Sequence, residues 1–320
     1  MQSISVTSPG GPSALVLADT EVPVPGSGEV LVRNTAAGVN FIDVYYRNGS
    51  YPAATPFTPG QEGAGVVTAL GEGVTEFAEG ARVAYASQLG AYAEYTVVPQ
   101  DKLIPVPEDV DLAAAAAVTL QGLAAYYLTH QTHAVAEGDT VVVLAAAGGL
   151  GRFLVQLAAA RGATVIAVTS TPEKEKAARE AGAHHAIGYD GFDTAVRELT
   201  DGRGARVVYD SVGASTYLTS LRSLGRRGLL ALCGLSSGPV PPFDIEQLRG
   251  GGSLFVTRPT MRDYVYDAET LRAAGGAVFG HLADGVLTPH LHATLPLREA
   301  AEAHRLLESR ATTGKLLLTI

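Results

Sequence analysis

The sequence of 320 residues contains a single cysteine, Cys233, and this scarcity excludes two kinds of structure. One cysteine cannot form an intrachain disulfide, and it cannot supply a cysteine-rich zinc lobe. The histidines do not form a metal site in place of the missing cysteines. The adjacent His184 and His185 point to opposite faces of a strand, and His290 and His292 share a face with no Cys, Asp or Glu close enough in sequence to complete a site. We therefore expect no bound metal.

Positive charge, long apolar runs and targeting segments are also scarce. The chain has 23 Lys and Arg against 32 Asp and Glu, and its net charge of −9 disfavours nucleic acid or an anionic membrane as a partner. Residues 1–5 are neither basic nor apolar, and no apolar stretch approaches the length of about 18 residues that a membrane span needs. These absences predict a cytoplasmic protein. Its 47% of apolar residues is ample for the cores of two domains.

Two kinds of pattern divide the chain. Before residue 111, short apolar or alternating runs at 14–17, 29–33 and 65–70 are separated by Pro and Gly turns, which indicates β-structure. Asp111 can then cap a helix over 112–130. From Thr140 onward, strands alternate with helices, a pattern that predicts a parallel sheet with right-handed crossovers.

The individual elements of the second half follow from the same pattern. We predict strands at 139–144, 164–169, 185–187, 206–210, 228–233 and 253–256, and helices at 152–160, 172–181 and 192–200. A further helix is expected over 268–283, and the last residues, 315–320, are expected to form a strand.

The most informative motif is the glycine-rich turn AAAGGLG (residues 145–151), which follows a strand and opens a helix. Gly148 would allow the backbone to approach a pyrophosphate, and Gly151 would allow the helix to pack close to the strand. Unpaired N–H groups at the helix start favour the anion. A plain structural turn is the alternative, but the strand before, the helix after and the second strand at the expected distance favour a dinucleotide site.

The end of the second strand distinguishes NADP from NAD. An acidic residue there would accept a hydrogen bond from the ribose 2′-hydroxyl of NAD and repel a 2′-phosphate. This chain instead has Ser170, with Lys174 one turn into the next helix, where its ammonium can reach a phosphate. The alternative is a solvated lysine paired with Glu173 or Glu175. We favour NADP because the acid is missing and a base is present.

Short motifs of one family occur in order along nearly the whole chain. They are NFIDVY at 40–45, YP at 51–52, GQEGAG at 60–65, LGAYAEY at 89–95, AAAGGLG at 145–151, VYDSVG at 208–213, VTRP at 256–259 and LESRAT at 307–312. Through them the chain resembles the NADPH:quinone oxidoreductases, the zeta-crystallin-like, zinc-independent branch of the medium-chain dehydrogenase/reductase superfamily. The zinc alcohol dehydrogenases of that superfamily have a histidine where this chain has Gln61, and an amide is a poor zinc ligand. No cysteine-bearing lobe fits between Tyr85 and Gly90.

The resemblance implies an α/β fold of two domains and a set of ligand contacts. Residues 1–122 and 262–320 would form a β-rich, GroES-like catalytic domain, and residues 123–261 a Rossmann domain, a doubly wound parallel sheet that binds NADPH. The implied cofactor contacts are Ala147, Gly148, Gly149, Leu150, Gly151, Ser170, Lys174, Tyr189, Ser211, Arg258, Arg310 and Lys315. The implied catalytic residues, which would line the nicotinamide and quinone pocket, are Asn40, Tyr45 and Tyr51.

Three positions depart from the family pattern. Ala124 stands where relatives often carry threonine, and Cys233 and Leu235 stand where close relatives have phenylalanine and asparagine. Because these positions concern the pocket, they bear on which substrate is preferred.

The resemblance implies hydride transfer from C4 of NADPH to a quinone or another small electrophile. Donors from Tyr51, Tyr45 or Asn40 would stabilise the hydroquinone anion as it forms. Two alternatives stay open: reduction of an alkenal or enone, and an NADPH-binding protein without catalysis, as in the crystallin branch. The resemblance also implies a homodimer in which the last Rossmann strand pairs with its copy across a symmetry axis.

Overall fold

The computed structural model describes residues 1–320, which fold into two compact units. Unit 1 comprises Met1–Leu123 and Val265–Ile320, and unit 2 comprises Ala124–Tyr264. The sequence placed these boundaries after residues 122 and 261.

The strands are β1 (Gln2–Ser5), β2 (Val16–Asp19), β3 (Glu29–Val39), β4 (Glu62–Leu70), β5 (Arg82–Ala86), β6 (Tyr95–Pro99), β7 (Leu103–Pro105), β8 (Thr140–Leu144), β9 (Thr164–Val168), β10 (His185–Ile187), β11 (Ala205–Asp210), β12 (Leu224–Leu232), β13 (Phe255–Thr257), β14 (Leu291–Pro296) and β15 (Lys315–Thr319). The α-helices are α1 (Phe41–Arg47), α2 (Leu112–Tyr127), α3 (Gly149–Ala160), α4 (Pro172–Glu180), α5 (Phe192–Leu199), α6 (Tyr217–Ser223), α7 (Glu246–Gly250), α8 (Ala268–Ala283) and α9 (Ala300–Glu308).

Unit 1 is built around a seven-stranded sheet that is mostly antiparallel. Its strands lie in the order β14-β15-β3-β4-β5-β7, and β6 also pairs with β3. The first two strands form a separate antiparallel pair. Valine, leucine and alanine side chains of β3 and β15, among them Val30, Val32, Leu316 and Leu318, are buried in one apolar core. The predicted β-structure of the first part of the chain is confirmed.

Helix α1 was not predicted, although it lies within the part of the chain expected to be β. Its Phe, Ile, Val and Tyr residues favour strands by intrinsic propensity. Tertiary contacts outweigh that propensity. Asp43 and Arg47 are only 0% and 2% exposed, and a helix places these two residues, one turn apart, on the same buried face. The first turn closes where Asp43 Oδ2 accepts the Asn40 N–H at 2.8 Å.

Unit 2 contains a sheet of six parallel strands in the order β10-β9-β8-β11-β12-β13. Counted along the chain from β8, this is the order 3-2-1-4-5-6 of the Rossmann fold. The central strands are continuous apolar runs, as expected for strands covered by helices on both faces. The predicted Rossmann fold is confirmed.

Two elements in unit 2, α3 and β12, begin three or four residues earlier than expected, while the other predicted boundaries of this unit differ by at most two residues. Helix α3 begins at Gly149 rather than at residue 152, because the glycines that indicate a turn also form the first helical turn. Strand β12 begins at Leu224 rather than at residue 228. There the chain is irregular: Arg227 has a positive φ of 56°, and the pairing of β11 with β12 shifts register between Ala205 and Val207. Such an irregularity interrupts the alternation of residues by which a strand is recognised in a sequence.

Helix α2 begins as predicted, with Asp111 Oδ1 accepting the Ala114 N–H at 2.9 Å. The expectation that no apolar stretch approaches the length of a membrane span is wrong for this helix. The helical segment Leu112–Thr132 has 21 residues and a mean hydropathy of 1.3, which is long and apolar enough to cross a membrane by length and composition alone. However, 61% of its apolar window is buried inside the structure, and the core helices of folded domains meet the same criteria.

Candidate active site

Unit 2 presents most of the implied cofactor residues along one edge of its parallel sheet. Ser170, Tyr189, Ser211 and Arg258 each lie one or two residues beyond the end of β9, β10, β11 or β13. Because the strands are parallel, their carboxyl ends share this edge, and the strand order reverses beside β8. The glycine-rich turn follows β8, so it lies at the topological switch point where doubly wound sheets bind ligands.

The glycine-rich turn has the geometry of an anion-binding loop. Ala145 adopts a positive φ of 49°, and Ala147 is buried just before Gly148, the N-cap of α3. A Cβ atom on Gly151 would lie 2.3 Å from the Ala145 carbonyl oxygen, so only glycine lets the helix pack this closely. No side chain caps the helix. The N–H groups of Gly149, Leu150 and Gly151 in its first turn lack intrahelical acceptors and suit a pyrophosphate.

The residues assigned to the 2′-phosphate lie at the ends of β9 and β10. Lys174 is in the first turn of α4, where its N–H donates to the capping Thr171 Oγ1 at 3.3 Å. Its side chain is partly buried, and this burial lowers the pKa of its ammonium. The Tyr189 hydroxyl accepts the Ala145 N–H at 3.0 Å, which ties this region to the glycine-rich turn. No carboxylate follows β9 before the helix begins. The geometry thus fits NADPH.

Cys233, one of the departures from the family pattern, directly follows β12 at the same edge. Burial, with a smaller contribution from Asp210, raises the pKa of its thiol to about 12. A protonated thiol is a weak nucleophile and packs as a small apolar group.

Unit 1 holds three tyrosines in one cluster. The ring centroid of Tyr51 lies 5.3 Å from that of Tyr45 and 5.6 Å from that of Tyr46, and all three side chains are partly exposed. The Tyr51 N–H also donates to the Tyr45 carbonyl oxygen at 2.9 Å. Tyr46 was missed by the sequence analysis, since α1 was not predicted and the neighbours of Tyr45 could not be placed. The cluster offers ring faces and phenol hydroxyls to a flat aromatic ligand.

Asn40, an implied catalytic residue, is 3% exposed, and its amide is fully occupied. Its Nδ2 donates to Glu62 Oε2 at 2.9 Å and to the Gly38 carbonyl oxygen at 3.3 Å. Its Oδ1 accepts from Gln121 Nε2 at 3.0 Å and from Lys315 Nζ at 2.7 Å. An amide has two N–H donors and two lone pairs, so none is left for a ligand in this arrangement. Direct contact between Asn40 and a substrate stays a prediction.

Arg310 and Lys315 are the implied cofactor residues that belong to unit 1. Arg310 follows α9 with a positive φ of 57°. The Lys315 side chain is 1% exposed, and its Nζ lies 2.5 Å from Glu62 Oε2, while Glu62 Oε1 accepts the Leu120 N–H at 2.6 Å. The motif assigned Lys315 to the cofactor, but the structure commits its ammonium to a buried ion pair. Its contact with NADPH stays a prediction.

A second buried network lies behind α1, and the sequence analysis missed it. It joins Asp43 and Arg47 of α1 to Tyr92 and to His304 and Glu308 of α9. Burial raises the pKa of Asp43 to about 7, and burial with the neighbouring Arg47 lowers the pKa of His304 to about 3. Each helix contributes two polar residues four positions apart, a spacing that puts both on one face. That spacing was the one signal in the sequence from which this network could have been predicted.

His, Cys, Asp and Glu side chains form no group of three that could hold a metal ion. Gln61, at the position of the zinc-ligating histidine, is buried beside β4. That the protein needs no metal stays a prediction, which chelation can test.

Comparison with known proteins agrees with both units. Residues 26–108 match the family model of the alcohol dehydrogenase GroES-like domain, and residues 149–272 match that of the zinc-binding dehydrogenases. The chain is 46% identical to quinone oxidoreductase from Pseudomonas aeruginosa over 97% of this chain and 96% of that protein. It is 44% identical to a 2-haloacrylate reductase from Burkholderia sp., again over 97% and 96% of the two chains.

A solved structure has the same fold over the whole length. Escherichia coli quinone oxidoreductase in complex with NADPH superposes with a TM-score of 0.97 at 38% identity, and the match covers 100% of both chains. Sequence and structure therefore agree over both units, and this chain belongs to the quinone oxidoreductase family of the medium-chain dehydrogenase/reductases.

Proposed function

We propose that this protein is an NADPH-dependent quinone reductase that works without a metal. The observation that carries the proposal is the carboxyl edge of the unit 2 sheet, where an uncapped glycine-rich helix start and Lys174 lie at the ends of neighbouring strands with no carboxylate after β9. The names of the relatives supply the substrate class, and the tyrosine cluster of unit 1 offers a quinone ring a surface to stack on.

When bound, NADPH supplies a hydride from the C4 position of its nicotinamide. The N–H groups of the glycine-rich turn hold its pyrophosphate, and Lys174 pairs with its 2′-phosphate. The rings of Tyr45 and Tyr51 orient the quinone and exclude water from its faces. As the quinone oxygen gains negative charge, the Tyr51 hydroxyl donates a hydrogen bond to it. Water can supply the final proton, because a phenolate needs no strong acid at neutral pH.

Steady-state oxidation of NADPH tests this function against its alternatives. We expect turnover with 1,4-benzoquinone and 9,10-phenanthrenequinone, and unchanged rates after dialysis against a chelator. The 2-haloacrylate reductase among the relatives makes an activated alkene the second candidate acceptor. Turnover with 2-hexenal alone would assign the protein to that class, and NADPH binding without turnover of any acceptor would indicate a binding protein. Activity lost on chelation and restored by zinc would contradict the metal-free mechanism.

Replacement of Tyr51 by phenylalanine tests the proposed hydrogen bond. The ring and its stacking remain while the donor is lost, so we expect kcat to fall about 10-fold with little change in the KM for quinone. A fall of about 10-fold is at the low end of the range for a hydrogen bond to a charged acceptor. We expect this low end because the site is partly exposed and water can replace the lost hydroxyl as a donor. Tyr46→Phe is the matched control from the same cluster and should leave kcat unchanged. Equal kcat values for Tyr51→Phe and the parent would exclude the hydroxyl from the reaction.

We further propose that the protein is a homodimer formed through β13. This strand pairs only with β12, so its other edge is open, and Phe255 at its start is 56% exposed. An open apolar edge promotes aggregation unless a partner covers it, and an isologous dimer does so by pairing two copies. Multi-angle light scattering should give twice the 33.0 kDa mass of the chain. The monomer mass at micromolar concentration would refute the proposal.

A further inference from the structure

We propose that α9 acts as a clamp on α1, with His304 and Glu308 as positioning residues that hold α1, and with it Tyr45, in place for the substrate. The inference rests on the proposed function only in the role it gives to Tyr45. The clamp itself is a property of unit 1 that can be measured without turnover.

Helix α1 cannot hold its own position. It has seven residues, fewer than an isolated helix needs to be stable in water. Only one apolar side chain of α1, Val44, is buried, and the other two buried residues are Asp43 and Arg47. Tyr45 is two positions from each of them, and a helix turns about 200° over two residues, so Tyr45 points away from the buried polar face. The polar contacts of Asp43 and Arg47 therefore contribute to the anchoring of the helix that carries this tyrosine.

Glu308 and Arg47 form the outer part of the clamp. Arg47 Nη1 and Nη2 donate to the two carboxylate oxygens of Glu308 at 2.8 and 2.9 Å, a bidentate arrangement that fixes the orientation of both groups. Arg47 Nε donates to the Gly10 carbonyl oxygen at 3.0 Å. The Arg47 side chain is 2% exposed while that of Glu308 is 35% exposed, so the pair reaches from the interior to the surface.

His304 forms the inner part, and its hydrogen bonds can run in only one direction. Arginine only donates, so His304 Nδ1, at 3.2 Å from Arg47 Nη1, must accept. A neutral imidazole then carries its proton on Nε2, which donates to the Tyr92 oxygen at 3.1 Å. The Tyr92 hydroxyl in turn donates to Asp43 Oδ2 at 3.1 Å. The chain thus begins and ends on α1, at Arg47 and Asp43, and passes through α9.

This arrangement explains why a histidine is buried at this point of α9. His304 is 0% exposed, and its imidazole supplies an acceptor on one side and a donor on the other. An apolar residue would leave Arg47 and the Tyr92 oxygen each without one partner, and unsatisfied buried groups destabilise the positions that bury them. Loss of His304 should therefore loosen α1 while the sheets of both units stay folded.

Two substitutions of His304 distinguish the effect of its hydrogen bonds from the effect of the volume that its side chain fills. In His304→Gln, the amide oxygen can accept from Arg47 and the amide nitrogen can donate to Tyr92. In His304→Leu, neither bond can form, although the volume is similar. For His304→Leu, we expect kcat/KM for 1,4-benzoquinone to fall about 10-fold, through an increase in KM, and amides of α1 to exchange with deuterium about 10-fold faster. His304→Gln should restore both quantities to near the parent values.

The dissociation constant for NADPH is the control, because unit 2 carries the glycine-rich turn and Lys174. It should stay within about twofold of the parent value in both variants, since loss of folding would change it as well. If His304→Leu does not fold, Glu308→Gln, which keeps the size but removes the charge of a partly exposed side chain, should change α1 exchange and quinone KM in the same direction by less.

Two results would overturn the clamp: parent-like exchange of α1 in the folded variant, or a quinone KM that is equally raised in His304→Gln and His304→Leu. Failure of the proposed function is a different outcome. In that case the parent protein would fail to oxidise NADPH with any of the quinones tested. The hydrogen-exchange rates of the α1 amides would still decide whether α9 clamps that helix.

Discussion

Replacement of Glu62 by glutamine is expected to lower the free energy of unfolding by about 3–5 kcal/mol, because it leaves the Lys315 ammonium buried without a counter-ion. The two side chains are 0% and 1% exposed, and no water can replace the lost carboxylate. The glutamine NH2 also replaces one of the two carboxylate oxygens, so either the Leu120 N–H or the Lys315 and Asn40 donors lose their acceptor. Urea denaturation followed by circular dichroism measures the change.

A double-mutant cycle separates the ion pair from other effects of the substitution. Lys315→Met should also destabilise, because it leaves the Glu62 carboxylate buried with only its N–H donors. The double variant Glu62→Gln/Lys315→Met contains no buried charge at this position, so it should be more stable than the sum of the single effects by about 1–3 kcal/mol. Glu180→Gln, which removes an exposed pair with Lys176, is the matched surface control and should leave the denaturation midpoint unchanged. Additive single effects would show that Glu62 and Lys315 are not coupled.

Replacement of Lys174 by alanine is expected to raise the KM for NADPH by about 10- to 150-fold, which corresponds to the loss of roughly 1.5–3 kcal/mol for a charge-assisted hydrogen bond. The lower end is favoured because Ser170 and Tyr189 lie at neighbouring strand ends and can share the phosphate. NADH carries no 2′-phosphate, so its KM should barely change.

The ratio of the two changes is the measurement that decides, because general destabilisation would affect both cofactors alike. A solvated lysine on the surface of α4 would give small and equal effects. Lys176→Ala, two residues along the same helix and 80% exposed, is the matched control and should preserve the preference for NADPH over NADH. If Lys174→Ala keeps that preference within about twofold, the selectivity resides elsewhere.

The convergence of the implied cofactor residues at one edge of the unit 2 sheet was predictable because its signals are local. The strand, the glycine-rich turn and the helix of residues 139–160 are adjacent in sequence, and each can be recognised by its own residues. Since parallel strands end at one edge, Ser170, Tyr189, Ser211 and Arg258 could be expected to meet without knowledge of their contacts. The helix α8 and the strand β10 were predicted with the bounds that the structure has. Their periodicity and end signals are also local.

The buried polar groups of unit 1 were not predictable in this way. Lys315 contacts Asn40 and Glu62 across 275 and 253 residues of sequence, and Arg47 contacts His304 across 257. No local pattern shows which buried acid a lysine will meet. Helix α1 was missed because its residues favour a strand, and the partners of its buried Arg47 lie on α9 at the other end of the chain.

The sequence by itself determined the α/β architecture, the glycine-rich turn between a strand and a helix, and the absence of an acid after β9, because hydrophobic periodicity, glycine spacing and single residues are properties of short segments. Only the tertiary structure decided that the Asn40 amide is fully occupied, that Lys315 forms a buried ion pair and that Arg47, on the helix carrying Tyr45, contacts α9. These features depend on which distant segments come together. Burial then favours packings in which most polar groups find a partner.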